Sequence, residues 1–128
     1  MNTDTLKLIA RILLSIIFIM AGASKFGNIG GTAGYISSVG LPASTALAWL
    51  AAIFELVAGV MILVGFKTRL TAYALAAFCI FTAVVFHNNF GELVQMIMFQ
   101  KNIAIAGGFL LLAAVGAGSK SIDARQGG

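Results

Sequence analysis

Glu55 is the residue of this chain best placed to do chemistry. It lies within an apolar run from Ala43 to Phe66 in which no other side chain is ionisable. A charge at the centre of a bilayer costs at least ~2.5–3.5 kcal/mol on insertion scales, so a carboxylate there is a functional-site candidate. It can accept a proton or bind a ligand group. It can also form a structural ion pair, and the sequence leaves both roles open.

A polar stripe on the preceding apolar segment supplies candidate partners for this carboxylate. Helical steps of three and four residues connect Lys7, Arg11, Ser15, Phe18, Gly22 and Lys25. A polar stripe in a bilayer must turn toward other helices or water, so we expect it to face inward. The same spacing places Glu55 on a face of small residues, which favours close helix contact: Ala48, Ala51, Ala52, Ala58, Gly59 and Ile62.

The depth of each residue along its helix indicates which cation pairs with Glu55. At 1.5 Å rise per residue, Arg11 lies ~8 Å from the level of Glu55, and Lys25 lies ~13 Å away on the other side. An Arg side chain covers most of the shorter gap and suits a carboxylate. We therefore predict a Glu55–Arg11 ion pair, bridged by water or Ser15 if not direct. We expect Lys25 to extend toward the membrane surface.

A second polar group lies where the apolar runs end. Its candidate ligand-binding residues are Lys25, His87, Lys101 and Asn102, and Asn88, Glu92 and Gln95 lie near them in sequence. Two lysines and a histidine can receive an anion or the oxygen of a quinone. The alternative is that these residues only anchor the helices at the membrane interface.

The composition defines the elements that must position these residues. The chain has 128 residues, of which 60% are hydrophobic and 9% charged, and its mean hydropathy is +1.03. Such a chain is typical of a multi-pass membrane protein. Four runs are long enough to span a bilayer, at about residues 6–26, 43–66, 70–86 and 103–117. We predict an all-α transmembrane four-helix bundle, formed by residues 1–128 as a single domain.

The basic residues predict the orientation of this bundle. Six lie in the tails and the second turn: Lys7, Arg11, Lys67, Arg69, Lys120 and Arg125. Only Lys25 and Lys101 lie on the other side, so both termini are expected in the cytoplasm. The net charge of +4 therefore reflects topology, and we expect no nucleic-acid binding.

The sequence leaves two points open: the form of the two outward connections, and whether the first segment is a span or a signal peptide. The outward connections at 32–39 and 91–100 fit short interfacial helices or loops packed on the bundle rim. The first span also carries basic residues, an apolar stretch and the small residues Ala21-Gly22-Ala23, a pattern that a cleaved signal peptide shares.

The single cysteine and single histidine limit the redox and metal chemistry of the chain. Cys79 alone cannot cycle an internal disulfide, and one histidine excludes a His-rich metal or haem site built by this chain alone. A redox centre would have to be a bound organic cofactor or belong to a partner, and no metal site is predicted.

The chain resembles the DoxX family of small four-span membrane proteins. The matching stretches are residues 11–26, 40–42 (Gly-Leu-Pro), 55–69 and 101–125, the last ending in Ser-Ile-Asp-Ala-Arg. The resemblance implies a bacterial inner-membrane protein. It also implies a component of membrane-associated oxidoreductases, some of which are linked to quinone-coupled oxidation of sulfur compounds or to oxidative stress.

The leading hypothesis is an integral component of a quinone-linked redox system. Glu55 and Arg11 would be its catalytic pair, and the second polar group would bind the quinone. The expected partners are the lipid bilayer, a soluble or membrane redox partner and, as an option, further copies of the chain. The first alternative is a non-enzymatic membrane scaffold or assembly factor pinned by Glu55–Arg11. The second is a solute or proton pathway through an oligomer.

Overall fold

Four long helices and two short ones make up the structure. The computed structural model describes residues 2–126, and within this range there is no strand. The helices are α1 (Thr3–Phe26), α2 (Ile29–Ser38), α3 (Ser44–Val64), α4 (Thr68–Phe86), α5 (Leu93–Val115) and α6 (Ile122–Arg125). Helices α1, α3, α4 and α5 are each long and apolar enough to cross a membrane. The predicted all-α bundle with four candidate spans is confirmed.

The fourth span begins earlier than predicted. Helix α5 begins at Leu93 rather than at residue 103. Residues 93–100 are largely apolar and contain no Gly or Pro, so nothing interrupts the helix before Lys101 and Asn102. The connection at 91–100 is therefore mostly the first turns of α5, and no separate helix forms there.

The connection between the first two spans does form a helix of its own. The side chain of Asn28 accepts a hydrogen bond from the Gly31 N–H at 3.0 Å, which caps the start of α2. Helix α2 buries Ala33 and Ile36 against Ala48 of α3. Of the two connections, this one thus contains a helix of its own, and that helix packs against the bundle.

The predicted inward faces of the first two spans are confirmed, except that Lys7, Lys25 and Ala51 are only half-buried. Helix α1 buries the stripe residues Arg11, Ser15, Phe18 and Gly22. Helix α3 buries its small-residue face together with Glu55: Ala48, Ala52, Glu55, Ala58, Gly59 and Ile62. The two faces pack against each other.

Two glycines bring α1 and α3 into backbone contact. A Cβ atom on Gly22 would lie 2.7 Å from the Leu56 nitrogen and 2.9 Å from the Ala52 carbonyl oxygen. On the opposite helix, a Cβ on Gly59 would lie 2.9 Å from Cγ1 of Ile19. Because side chains are absent at both points, the helices approach closely and their register is fixed.

The Gly22→Ala variant should test this crossing. The added methyl group would meet backbone atoms of α3 that cannot move aside, so we expect a loss of about 1–3 kcal/mol in unfolding free energy. The measurement is denaturant titration of the purified protein in mixed micelles. Gly107→Ala is the matched control, since nothing lies within 4 Å of that Cβ position. Equal stability of the two variants would contradict the close crossing.

Hydrogen bonds of Asp123 with Gly65, Lys67 and Thr68 close the end of the bundle that carries the termini, and we call this group the clasp. The Asp123 carboxylate accepts the Lys67 N–H at 2.7 Å and the Thr68 N–H at 2.9 Å. These N–H groups begin α4, where Lys67 has a left-handed backbone (φ 47°). The Asp123 N–H in turn donates to the Gly65 carbonyl at 2.8 Å. The C-terminal segment therefore caps α4 in place of a local side chain.

The clasp should make stability depend on acid pH. Partial burial opposes ionisation of Asp123, but the N–H groups of Thr68 and Lys67 outweigh it and hold the pKa of this carboxyl below its ordinary value. The folded-state pKa is depressed, so the stabilisation is present above the unfolded pKa of about 3.9 and is lost as pH falls through the folded pKa.

We expect Asp123→Ala to cost about 0.5–2 kcal/mol near neutral pH. The loss should shrink as the pH falls below 4, because the wild type then loses the same interaction. Unfolding titrations of both proteins across pH check this. Arg125→Ala, in the same short helix, is the control. A cost that stays constant through the acid range would contradict the role of the ionised carboxylate.

Candidate functional site

A cavity of about 880 Å³ lies at the distal end of the bundle, opposite the termini. Helices α1 to α5 all contribute to its walls. Its apolar lining includes Ile17, Phe18, Phe78, Phe81 and Ile105. Its polar lining includes Glu55 and the four residues singled out as a ligand-binding group, namely Lys25, His87, Lys101 and Asn102. The structure thus brings these five predicted site residues together.

Glu55 forms its ion pair with Lys25. The Lys25 Nζ atom lies 2.7 Å from Oε2 of Glu55. The Lys25 side chain is 28% exposed and that of Glu55 is 6% exposed, so the carboxylate is the more deeply buried partner. The predicted Glu55–Arg11 pair is wrong, and so is the expectation that Lys25 extends toward the membrane surface.

The register of α1 against α3 explains this correction. The glycine crossing puts Gly22 level with residues 52–56, so Lys25 begins only about 4.5 Å further along α1 at 1.5 Å per residue. Arg11 lies beside Gly65, whose Cβ position is 2.7 Å from Nη1 of Arg11. Gly65 is ten residues from Glu55, or about 15 Å along α3, which exceeds the reach of an Arg side chain.

Arg11 satisfies backbone carbonyl groups at the terminal end of the bundle. Its Nη1 donates to the carbonyl oxygens of Ile62 at 3.3 Å and Leu63 at 2.8 Å, and its Nη2 donates to the carbonyl of Lys120. The carbonyls of Ile62 and Leu63 lie in the last turn of α3, and that of Lys120 lies between α5 and α6. Arg11 is fully buried and does not line the cavity. The structure therefore separates it from Glu55.

The distal polar groups are connected by side-chain hydrogen bonds. His87 Nδ1 lies 2.9 Å from Oε1 of Gln95, which joins the end of α4 to the first turn of α5. Asn102 Nδ2 donates to Thr82 Oγ1 at 3.1 Å, and Thr82 donates to the Cys79 carbonyl at 3.1 Å. These bonds hold the cavity rim on α4 and α5 in one arrangement.

The charge of the lining is positive. Lys25 and Lys101 face a single carboxylate, Glu55, and that carboxylate is already engaged by Lys25. Among residues 2–126, Lys101 has no carboxylate within ion-pair distance. A ligand group next to Lys101 would therefore be an anion or a hydrogen-bond acceptor.

Sequence reasoning missed several polar residues of the lining. Ser24 and Asn28 lie beyond or beside the stripe of α1, and Tyr35 comes from α2, where it also donates to the Phe86 carbonyl at 3.3 Å. Thr82 had a usable signal. It follows Cys79 by three residues and precedes Phe86 by four, which places all three on one face of α4.

Comparison with known proteins identifies the family. Residues 6–88 match the DoxX family model. The chain belongs to the DoxX family. It is 47% identical over 120 residues to the inner membrane protein YqjF of Escherichia coli (strain K12), covering 94% of this chain and 91% of YqjF. It is 41% identical over 125 residues to YphA of the same organism, also an inner membrane protein, covering 94% and 89%.

A more distant match carries a different description. The Bacillus subtilis (strain 168) protein named "Putative oxidoreductase CatD" is 36% identical over 69 residues, covering 54% of this chain and 50% of CatD. No solved structure matches this DoxX-family chain. The relatives and the four apolar helices establish it as a multi-pass protein of the inner membrane, surrounded by lipid.

Substitutions at Lys25 and Glu55 should show strong coupling. Lys25→Met leaves a buried carboxylate without its cation, and breaking a buried pair in this way costs about 3–5 kcal/mol. Glu55→Gln should cost less, because Lys25 is partly exposed and can reach water. The double variant Lys25→Met/Glu55→Gln should recover most of the loss. Unfolding free energies in mixed micelles give the coupling energy.

The matched control for this cycle replaces Arg11. Because Arg11 contacts carbonyl groups far from Glu55, the costs of Arg11→Met and Glu55→Gln should add without coupling. Coupling of Glu55 to Arg11 in place of Lys25 would contradict the ion pair described above.

Proposed function

We propose that this DoxX-family protein is an integral component of a quinone-linked redox system and that its distal cavity binds the quinone headgroup. The observation that carries the proposal is the cavity itself, in which an engaged carboxylate and a free lysine face a largely apolar space inside a membrane protein. Arg11, part of the catalytic pair expected from the sequence, lies outside this cavity and has no role in the proposal.

The size and lining of the cavity suit a lipid-soluble ligand with a polar head. Its volume of about 880 Å³ falls within the range of about 300–1,000 Å³ typical of small-molecule sites. Aromatic and aliphatic side chains such as Phe78, Phe81 and Ile105 would contact a ring and the start of an isoprenoid chain. The polar residues gather toward the distal rim, so the head would be held there.

The donor set matches the oxygen atoms of a quinone. Lys101 can donate to one oxygen without first leaving another partner, and Lys25 donates from the opposite wall. When bound, a quinone supplies two-electron, two-proton redox chemistry. Glu55 lies where a proton can be held close to the ligand, and Lys25 stabilises its charged form.

Electron transfer in this proposal requires a partner protein. The chain has one cysteine and one histidine, so it has no internal dithiol to exchange electrons with a quinone. One relative is named a putative oxidoreductase, which is consistent with a redox assignment at the level of the family. A soluble or membrane-bound oxidoreductase, and a role in sulfur-compound or oxidative-stress chemistry, are parts of this proposal.

Quinone binding can be measured directly. The purified protein in native lipids should bind a short-chain alkyl benzoquinone in a saturable manner, detected by isothermal titration calorimetry. Lys101→Met removes the free donor and Glu55→Gln removes the carboxylate. We expect each to weaken binding about tenfold or more, since a hydrogen bond to a charged group contributes about 1.5–3 kcal/mol.

Glu92→Gln is the matched control for Glu55→Gln. Glu92 is exposed and does not line the cavity, so its substitution should leave quinone affinity unchanged. The proposal fails if the wild-type protein binds no quinone. It also fails if the cavity variants bind quinone as tightly as the wild type.

A scaffold or assembly function is the second candidate, and the Lys25–Glu55 bridge favours it. The bridge joins α1 to α3, so it can serve as a structural pin whether or not a ligand binds. The Lys25→Met/Glu55→Gln double variant separates the two functions in cells. If the function is that of a scaffold, the double variant folds and cells that carry it behave like wild-type cells. If the protein has a redox function that uses Glu55, the double variant folds but the redox function stays impaired.

A further inference from the structure

The contact between His87 and Gln95 defines which ring nitrogen of His87 carries the proton. The amide oxygen Oε1 of Gln95 lies 2.9 Å from Nδ1 of His87. An amide oxygen can only accept a hydrogen bond, so Nδ1 must be the donor. In a neutral imidazole the other nitrogen then has a free lone pair. His87 therefore presents Nε2 as an acceptor on a ring that lines the cavity.

Asn102 adds a second acceptor at the same rim. Its Nδ2 donates to Thr82 Oγ1, and the Thr82 hydroxyl is itself committed to the Cys79 carbonyl. The Oδ1 atom of Asn102 has no hydrogen-bond donor among residues 2–126. The lining thus combines two acceptors, His87 Nε2 and Asn102 Oδ1, with the ammonium donor of Lys101.

This combination discriminates between a carbonyl and a hydroxyl group. A carbonyl oxygen can accept a hydrogen bond from Lys101. It has no hydrogen to donate, so Nε2 of His87 is left without a hydrogen-bond partner. A hydroxyl accepts from Lys101 with its oxygen and donates its hydrogen to Nε2. His87 is half-buried, and a ligand that covers Nε2 without donating to it forfeits one hydrogen bond, worth about 0.5–1.5 kcal/mol, so the difference favours the hydroxyl.

We propose that Gln95 is a positioning residue that fixes His87 as a hydrogen-bond acceptor, and that the cavity consequently binds the hydroxyl-bearing, reduced form of a quinone more tightly than the oxidised form. This inference rests on the proposed function, since it specifies the ligand of the same cavity. Gln95 acts through His87 and need not touch the ligand.

The tautomer of His87 can be determined by NMR in the absence of any ligand. His87 is the only histidine, so protein labelled with ¹⁵N-histidine gives the resonances of a single ring. The spectrum is recorded at alkaline pH. We expect the ¹⁵N–¹H correlation pattern of an Nδ1-protonated ring. The Nε2-protonated pattern would overturn the inference, because it requires the Gln95 amide to donate instead.

Two substitutions test whether Gln95 sets the tautomer. Gln95→Leu removes the acceptor, so the ring should shift toward the Nε2–H form that free histidine favours. Gln95→Glu keeps an acceptor oxygen and should preserve the Nδ1–H form. Gln100→Leu, an exposed position on the same helix that does not line the cavity, is the control and should change nothing. An unchanged tautomer in Gln95→Leu would overturn the positioning role.

Ligand preference is measured with the two redox forms of a short-chain alkyl benzoquinone, the reduced form being kept anaerobic. The wild type should bind the reduced form about 3–10-fold more tightly, the effect of one hydrogen bond. Gln95→Leu should remove this preference and Gln95→Glu should retain it. Equal binding of the two forms by the wild type overturns this inference but leaves the proposed function intact. Failure to bind either form overturns the proposed function itself.

Discussion

The contact of α1 with α3 at Gly22 and Gly59 is the constraint on which the site depends. Without side chains at these points the two backbones meet, and the meeting point sets how far one helix is shifted along the other. That shift brings Lys25 to Glu55 and leaves Arg11 beside Gly65. The identity of the buried ion pair is therefore decided by packing between uncharged residues and not by the charges alone.

The same register separates two polar regions with different physical roles. At the terminal end, Arg11 and Arg69 donate to the carbonyls that finish α3 and α5, and Asp123 accepts from the N–H groups that start α4. Each side chain there satisfies backbone groups that lack helical partners. At the distal end, the polar side chains pair with one another around a cavity. Groups of that second kind can exchange a partner for a ligand.

Periodicity alone predicted the helices and the faces that they bury, because burial depends on spacing within one helix. The inward stripe of α1 and the small-residue face of α3 both followed from it. The Glu55 partner did not follow, because depth was estimated as if the two spans were centred at one level. The shift of α1 along α3 depends on where the two backbones touch. Spacing within one helix does not show that Gly22 and Gly59 are the contact points.

The candidate site also shows that local sequence patterns do not predict contacts between different helices. Lys25, His87, Lys101 and Asn102 were recognised as a group because each ends or begins an apolar run. The link from His87 to Gln95 depended on α5 starting at Leu93, well before the predicted start of the fourth span. Once these residues are helical, Gln95 lies two residues into α5, where its amide can reach the end of α4.

The Lys25–Glu55 pair also determines what kind of ligand the cavity can accept. An unpaired carboxylate at this depth would repel an electron-rich oxygen and would itself be costly to bury. Lys25 offsets that charge, while its partial exposure leaves it in contact with the cavity. The remaining positive charge is that of Lys101, on the wall formed by α5. In our proposal a ligand oxygen is drawn toward Lys101, and His87, which lines the same cavity, makes the choice between carbonyl and hydroxyl in place of the ion pair.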